Sequence, residues 1–295
     1  MQNIQVGRTA IAGIGMLFGQ FGSAIRIAWF PLLLLVVLQG VMAALILPEI
    51  EAMTAAMETS GEAGIDAVEL QAAELIASSG WKLIVLGILT LGATAMLTTG
   101  WIQQVLRGDA LGHRTGFFRF GGRELRVVLA GILFMLLMAI VMAIVAAAGI
   151  GFSYVTTLPS IVLVLPAGFV AYVLVLRLVL IFPMIAVGQG IRWRAAWELT
   201  RGNTWRLFFA LLLMGLLSMV LSFAVSIPVG IVTTLLSFLV PGSIALTVVV
   251  PIAAQTVVTV FVVMIQLGSL AEAYRQLGGP GVGVPEATLA VFDDA

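Results

Sequence analysis

Apolar residues along this chain are concentrated in six long runs that are separated by shorter polar segments. The runs cover residues 24–47, 81–106, 127–150, 161–187, 207–231 and 244–271. Each run is long enough to cross the hydrocarbon core of a bilayer as a helix, which takes about 20 residues. No run shows the alternation, over about 10 residues, that is typical of a barrel strand. The pattern therefore predicts an all-α membrane protein with six transmembrane helices.

The composition supports this prediction. Hydrophobic residues make up 61% of the 295 residues and charged residues only 9%, with a mean hydropathy of +1.18. Soluble domains contain roughly 25% charged residues, so a soluble globular domain is excluded. The chain has no cysteine and one histidine, His113. A disulfide framework and thiolate chemistry are therefore excluded as well.

The charges are segregated along the chain, although the formal net charge is +0. Most arginines lie in three segments, at residues 8–26, 107–126 and 192–206, whereas residues 48–80 carry seven acids and no Lys or Arg. Short cytoplasmic loops keep Lys and Arg. We therefore expect both termini in the cytoplasm, the acidic loop 48–80 outside, and the chain in a bacterial inner membrane as a multi-pass protein.

Each basic segment lies directly before an apolar run, namely the first, third and fifth. Arginine combined with aromatic and aliphatic residues is typical of a helix lying in the headgroup layer. We predict short cytoplasmic interfacial helices before spans 1, 3 and 5, which suggests a three-fold internal repeat within a single polytopic domain over residues 1–277. The Gly- and Pro-rich tail at residues 278–295 is predicted to be disordered.

The third basic segment contains the clearest interfacial candidates. Trp193 and Trp197 are one helical turn apart, which places both indoles on one side of a helix. Gly202 and Asn203 both tolerate the left-handed conformation that often ends a helix. We predict that this segment contacts anionic lipid headgroups through the following residues: Arg192, Trp193, Arg194, Trp197, Arg201, Asn203 and Arg206.

Arg177 is a charged residue inside the fourth run. Such a residue costs about 2.5–3.5 kcal/mol to insert, so it usually faces the bundle interior or a cavity. No acid lies inside a predicted span to pair with it, which leaves carbonyls, amides, water or a lipid phosphate as partners. Structural anchoring and a lipid or substrate contact both stay open. Gln255, Thr259 and Gln266 share one side of the sixth run, where they suit interhelical hydrogen bonds or a translocation path.

Motifs for catalysis and metal binding are missing from the sequence. It lacks the HExxH, GxSxG, GxxxxGK and DxDxDG patterns, so we expect no enzyme activity, no cofactor and no metal. The leading interpretation is a non-enzymatic membrane protein that interacts with anionic lipid or organises the envelope, without a nucleic acid partner. Two alternatives stay open: a transporter or exporter of a small or lipid-like solute, and a subunit of a larger membrane complex.

The second half of the chain resembles one group of bacterial membrane proteins. The resemblance rests on Arg177, on residues 182–185, on residues 193–206 and on residues 273–277. These segments are similar to the core of the glycerophosphoryl diester phosphodiesterase membrane-domain family and of YciC-like proteins. The resemblance implies a six-span bundle. In the fused members the enzyme lies in a soluble domain that has no counterpart here, so no enzymatic activity is implied.

Overall fold

A computed structural model describes residues 3–60, 64–108, 120–155, 161–239 and 250–279. Within these ranges the chain is helical and contains no strand, which confirms the all-α prediction. The helices, in chain order, are α1 (Val6–Gly19), α2 (Phe21–Ser60), α3 (Gly64–Arg107), α4 (Gly122–Val155), α5 (Ile161–Leu176), α6 (Ile181–Ala186), α7 (Trp193–Leu199), α8 (Thr204–Leu239) and α9 (Val250–Gln276).

Five helices in the described part of the chain contain a stretch long and apolar enough to cross a membrane. These stretches are Phe21–Leu45, Gly80–Arg107, Gly122–Ala148, Thr204–Leu235 and Val250–Gln276. At most a third of each stretch is buried inside the protein, so most of its apolar side chains are left for lipid to cover. The stretches coincide with five of the six predicted runs, and the chain is therefore a multi-pass membrane protein.

The fourth predicted run, residues 161–187, does not form one continuous helix. Helix α5 ends at Leu176 and α6 begins at Ile181, with a turn over the residues between them. The 16 residues of α5 span about 24 Å. This length is shorter than the hydrocarbon core, which is about 30 Å thick. On its own, α5 therefore falls short of a full crossing.

Pro183 gives the physical reason for the turn. In a regular α-helix the proline ring would clash with the carbonyl four residues earlier, which belongs to Val179. The chain instead tightens to hydrogen bonds between residues three apart. The N–H of Leu178 donates to the carbonyl of Val175 at 2.9 Å, and the N–H of Phe182 donates to that of Val179 at 3.3 Å. The proline therefore changes the backbone hydrogen bonding of the residues that precede it in the chain.

The acidic stretch over residues 48–80 differs from the expected loop. Helix α2 continues to Ser60 and α3 begins at Gly64, so the flanking apolar helices run without interruption into the acidic pieces. Alanine and glutamate, which dominate this stretch, are strong helix formers. Extending an existing helix also avoids the unfavourable nucleation step. Residues 61–63 lie outside the described residues.

The chain divides into two compact units. Unit 1 comprises Met1–Ile27, Ala95–Leu221 and Val262–Ala295, and unit 2 comprises Ala28–Thr94 and Ser222–Phe261. The boundaries fall inside α2, α3, α8 and α9, so each of these helices contributes residues to both units. The single polytopic domain over residues 1–277 stays a prediction.

Short helices precede two of the three spans for which the sequence predicts them. Helix α1 precedes α2, and α7 precedes α8. The segment before α4, at residues 109–119, and the tail from residue 280 lie outside the described part of the chain. The three-fold repeat and the disordered tail therefore stay predictions.

In unit 1, α1 packs directly against α9. A Cβ atom built on Gly268 would lie 3.0 Å from the Cα of Gly13, and one built on Gly13 would overlap the carbonyl oxygen of Ile265. The hydroxyl of Ser269 donates to the carbonyl of Ala10 at 3.3 Å. Small residues at such positions allow two helix backbones to touch. One face of α1 is thus packed against α9, whereas Ile11 and Phe18 on its other side are exposed.

In unit 2, side-chain hydrogen bonds join α9 to two other helices. The hydroxyl of Thr256 donates to the Oε1 atom of Gln39 on α2 at 2.7 Å. The hydroxyl of Ser226 on α8 donates to the Oε1 atom of Gln255 at 3.3 Å. Bonds of this kind between transmembrane helices contribute about 0.6–2 kcal/mol each.

Candidate functional site

Arg177 is the first residue after α5, and its guanidinium lies on the C-terminal end of α7. Its Nε–H donates to the hydroxyl of Thr200 at 3.3 Å, and its Nη2 donates to the carbonyl of Trp197 at 3.1 Å. The guanidinium carbon also lies 3.7 Å from the centroid of the Trp197 ring. Carbonyls at a helix C-terminus carry partial negative charge, and indole faces attract cations. The C-terminal end of α7 therefore binds the Arg177 guanidinium through a hydroxyl, a carbonyl and an aromatic ring, without a carboxylate.

The guanidinium of Arg177 retains hydrogen-bonding capacity. An arginine has five N–H donors, and the bonds to Thr200 and Trp197 use two of them. Among the described residues the other three N–H groups meet no protein acceptor. The side chain is only half-buried, so these donors can reach a ligand.

The arginines of the third basic segment lie at the surface of unit 1. Arg192, Arg194, Arg201 and Arg206 are all exposed. Arg194 forms an ion pair with Glu198 at 3.0 Å, but the two side chains are 93% and 61% exposed. Exposed pairs of this kind contribute little to stability. The segment therefore presents a surface with excess positive charge.

The tryptophans of α7 are partly accessible. Trp193 is half-buried, and Trp197 is exposed although it lies under the Arg177 guanidinium. Rings that are accessible on one side and packed on the other suit an interface between protein and lipid.

Asn203 differs from the other residues of this segment because it is buried. Its Oδ1 atom accepts a hydrogen bond from the backbone N–H of Ile4 at 3.4 Å. Gly202 has a φ of 83°, the left-handed conformation expected after a helix. Asn203 itself does not adopt this conformation. Asn203 instead links the start of α8 to the N-terminal segment.

An aromatic cluster lies where α5 packs against α8. The α5 part of this cluster immediately precedes Arg177 in the chain. At its centre Phe208 is buried together with Val173 and Leu176. Four rings surround it, here called the aromatic shelf: Phe169, Tyr172, Trp205 and Phe209. Their centroids lie 5.3 to 6.4 Å from that of Phe208, and 43 to 57% of each residue is exposed. The shelf is thus an accessible apolar surface. It packs around Phe208, which contacts Leu176, the residue before Arg177.

The spacing of its rings in the sequence is a signal for the aromatic shelf. Phe169 and Tyr172 are three residues apart on α5, and Trp205 and Phe209 are four apart on α8. Such spacings place two rings on one helical face. The pairing of the two faces, however, depends on the packing of α5 against α8, which the sequence alone does not reveal.

A buried carboxylate, Glu272, lies at the C-terminal end of α9 with 2% of its surface exposed. Its Oε1 atom lies 3.6 Å from Nε of Arg8 and accepts from Nε2 of Gln276 at 2.8 Å. Its Oε2 atom pairs with Nη2 of Arg275. Gln276 in turn accepts a hydrogen bond from the backbone N–H of Gln5 at 2.8 Å. This cluster joins the N-terminus of α1 to the end of α9, and no motif in the sequence predicts it.

Two side chains of α3 bind the carbonyls at the end of α6. Nε2 of Gln103 donates to the carbonyl of Ala186 at 2.9 Å, and Nη2 of Arg107 donates to that of Val187 at 2.6 Å. Carbonyls at the end of a helix have no partner within the helix. Arg107 therefore has a structural role, although its side chain is exposed like those of the arginines near α7.

The polar side of the sixth run is divided between the two units. Gln255 and Thr259 belong to unit 2, whereas Gln266 belongs to unit 1 with Arg177. The hydroxyl of Thr259 donates to the carbonyl of Gln255 in its own helix at 2.8 Å. Gln266 is half-buried. A lipid or substrate contact at these three residues stays a prediction.

Comparisons with known proteins add no assignment to this geometry: no family model, no curated protein and no solved structure matches the chain. Within the described residues, no group of His, Asp and Glu side chains is arranged to hold a metal ion.

Proposed function

We propose that this chain is a non-enzymatic protein of the bacterial inner membrane that binds anionic lipid headgroups at its cytoplasmic face and helps to organise the envelope. The observation that carries this proposal is the set of exposed arginines around α7, which lies next to the exposed rings of the aromatic shelf. Guanidinium groups bind phosphate in a bidentate manner. Aromatic rings favour the boundary between headgroups and acyl chains.

The proposal includes a sixth crossing built from α5, the turn at residues 177–180, and α6. Residues 161–187 together are long enough for a span, although α5 alone is not. An even number of crossings returns both termini to the same side. The three basic segments then share the cytoplasmic side, as the distribution of arginines requires. Membership of the membrane-domain family named above is part of the same proposal.

The topology can be tested with single cysteines, because the native chain contains none. In intact spheroplasts, a membrane-impermeant maleimide is expected to label Glu62→Cys but neither Asn3→Cys nor Arg192→Cys. Permeabilisation should expose the latter two, and the unmodified chain serves as the unlabelled control. Labelling of Arg192→Cys in intact spheroplasts would show that α5 and α6 do not complete a crossing.

Lipid binding can be tested on the purified full chain in detergent by native mass spectrometry. The chain is expected to bind phosphatidylglycerol more tightly than phosphatidylcholine. Replacing Arg192, Arg194 and Arg206 together by glutamine should weaken phosphatidylglycerol binding tenfold or more, since each basic residue near an anionic surface contributes about 1 kcal/mol.

The control for this experiment is Lys82→Gln. Lys82 lies near the start of the α3 span and Arg107 at its end, so this variant removes a positive charge outside the basic segments and should leave binding unchanged. Equal binding of the two lipids by the native chain would contradict the proposed function. An equal loss in the triple variant and in Lys82→Gln would show that net charge, rather than the α7 surface, attracts the lipid.

A further inference from the structure

Two arginines near the end of α7 lie close together without a carboxylate between them. Arg177 bonds to Thr200, and Arg201 is the next residue in the chain. The two positive charges repel each other. The acid of this helix, Glu198, is instead paired with Arg194. Among the described residues neither Arg177 nor Arg201 has an ion-pair partner, so an anion bound between them would remove an unfavourable interaction.

The donors that remain free suit a phosphate group. Arg177 retains three N–H groups, and the guanidinium of Arg201 is exposed. Arginine presents its N–H groups in a planar fork that matches two phosphate oxygens at once. The contacts of Arg177 with Trp197 and Thr200 hold its guanidinium in place before any ligand arrives, which reduces the entropy lost on binding.

The aromatic shelf distinguishes between a free phosphate and a lipid. Its rings pack around Phe208, which is buried against Leu176, the residue directly before Arg177. The cationic and apolar surfaces therefore adjoin each other within unit 1. A free phosphate would leave the exposed rings uncovered, whereas an acyl chain would cover them and gain from the burial of apolar surface.

From this arrangement we propose that Arg177, Arg201 and the aromatic shelf form a binding site for one negatively charged phospholipid. The phosphate lies between the two guanidiniums, and one acyl chain lies on the shelf. This inference rests on the proposed function and narrows it from a charged surface to a single site.

Arg201→Gln is the main test, because Arg201 is exposed and none of the polar contacts described above depends on it. In native mass spectrometry the native full chain should retain one phosphatidylglycerol and no phosphatidylcholine. Arg201→Gln should weaken that binding roughly tenfold, the effect of losing one charge-assisted contact. Arg194→Gln is the comparison, since it removes the same charge from an exposed position on α7, and should weaken the binding less than Arg201→Gln does.

A second pair of variants tests the acyl-chain part of the site. The double variant Trp205→Ala, Phe209→Ala should weaken phosphatidylglycerol binding several-fold. Trp81→Ala, which removes an exposed ring in unit 2, should not. Arg177→Lys keeps the charge but loses the fork, and should also weaken binding. The thermal unfolding midpoint of each variant separates a lost contact from a lost fold.

The outcomes separate this inference from the proposed function. If Arg201→Gln and Arg194→Gln reduce binding equally, the single site is overturned while the charged surface stands. If the native chain does not prefer phosphatidylglycerol over phosphatidylcholine, both fail. If millimolar inorganic phosphate displaces the lipid and the shelf variant binds as the native chain does, the site belongs to free phosphate and the lipid assignment is overturned.

Discussion

Gly13→Ala is expected to lower the free energy of unfolding by about 3 kcal/mol, at the upper end of the usual range for overpacking. The added Cβ would overlap the carbonyl oxygen of Ile265 and lie 2.6 Å from the hydroxyl oxygen of Ser269. A backbone carbonyl in α9 cannot rotate away as a side-chain end can, so α1 must move off α9. The thermal unfolding midpoint of the chain in detergent should fall markedly.

Gly7→Ala is the matched control on the same helix. A Cβ at Gly7 meets no atom within 4 Å, and alanine is favoured over glycine in a helix by up to about 1 kcal/mol. The midpoint of Gly7→Ala should stay the same or rise slightly. A fall of similar size in both variants would show that α1 tolerates no change at all, and that the contact between α1 and α9 is not the cause.

Glu272→Gln is expected to destabilise the chain by about 3 kcal/mol, because removing one partner of a buried ion pair leaves the other charges uncompensated. Arg8 and Arg275 would then face each other across a neutral amide. The amide oxygen of the new glutamine can still accept from Gln276. The substitution therefore isolates the loss of charge from the loss of the hydrogen bond, and chemical or thermal unfolding in detergent measures it.

Glu198→Gln provides the comparison, since Glu198 also pairs with an arginine but at the surface. Its effect should be within about 0.5 kcal/mol. Adding Arg8→Gln to Glu272→Gln should recover part of the lost stability, because it removes one of the two positive charges that repel each other. An effect of Glu272→Gln as small as that of Glu198→Gln would show that the buried cluster does not hold α1 to α9.

The positions of the membrane helices were accessible from the sequence because a bilayer demands long, continuous apolar segments. The break in the fourth run was harder to place. Pro183 signals a disturbance, but the helix ends at Leu176, since the proline acts on the carbonyl of Val179 and the turn spreads from there. The rule that proline disturbs a helix was correct, but the sequence did not show how many residues before Pro183 the disturbance would extend.

The roles of individual charged residues could not be predicted from the way these residues cluster along the sequence. Arg107 and Arg194 both belong to basic segments and both are exposed, yet Arg107 binds the end of α6 whereas Arg194 pairs with Glu198. Glu272 comes directly after the sixth predicted run, where an acid is normally solvated. Glu272 is buried because α1 packs against α9, and the two helices are about 260 residues apart in sequence. Such long-range packing leaves no local pattern in the sequence.

The unbroken helices of the acidic stretch have a mechanical consequence. With 40 residues in α2 and 44 in α3, these helices are about 60 and 66 Å long, roughly twice the thickness of a hydrocarbon core. Outside the apolar stretches Phe21–Leu45 and Gly80–Arg107, each helix therefore continues for about 23 Å as a stiff rod. Six of the seven acidic residues belong to these two helices, so their backbone positions lie at set distances from the apolar stretches.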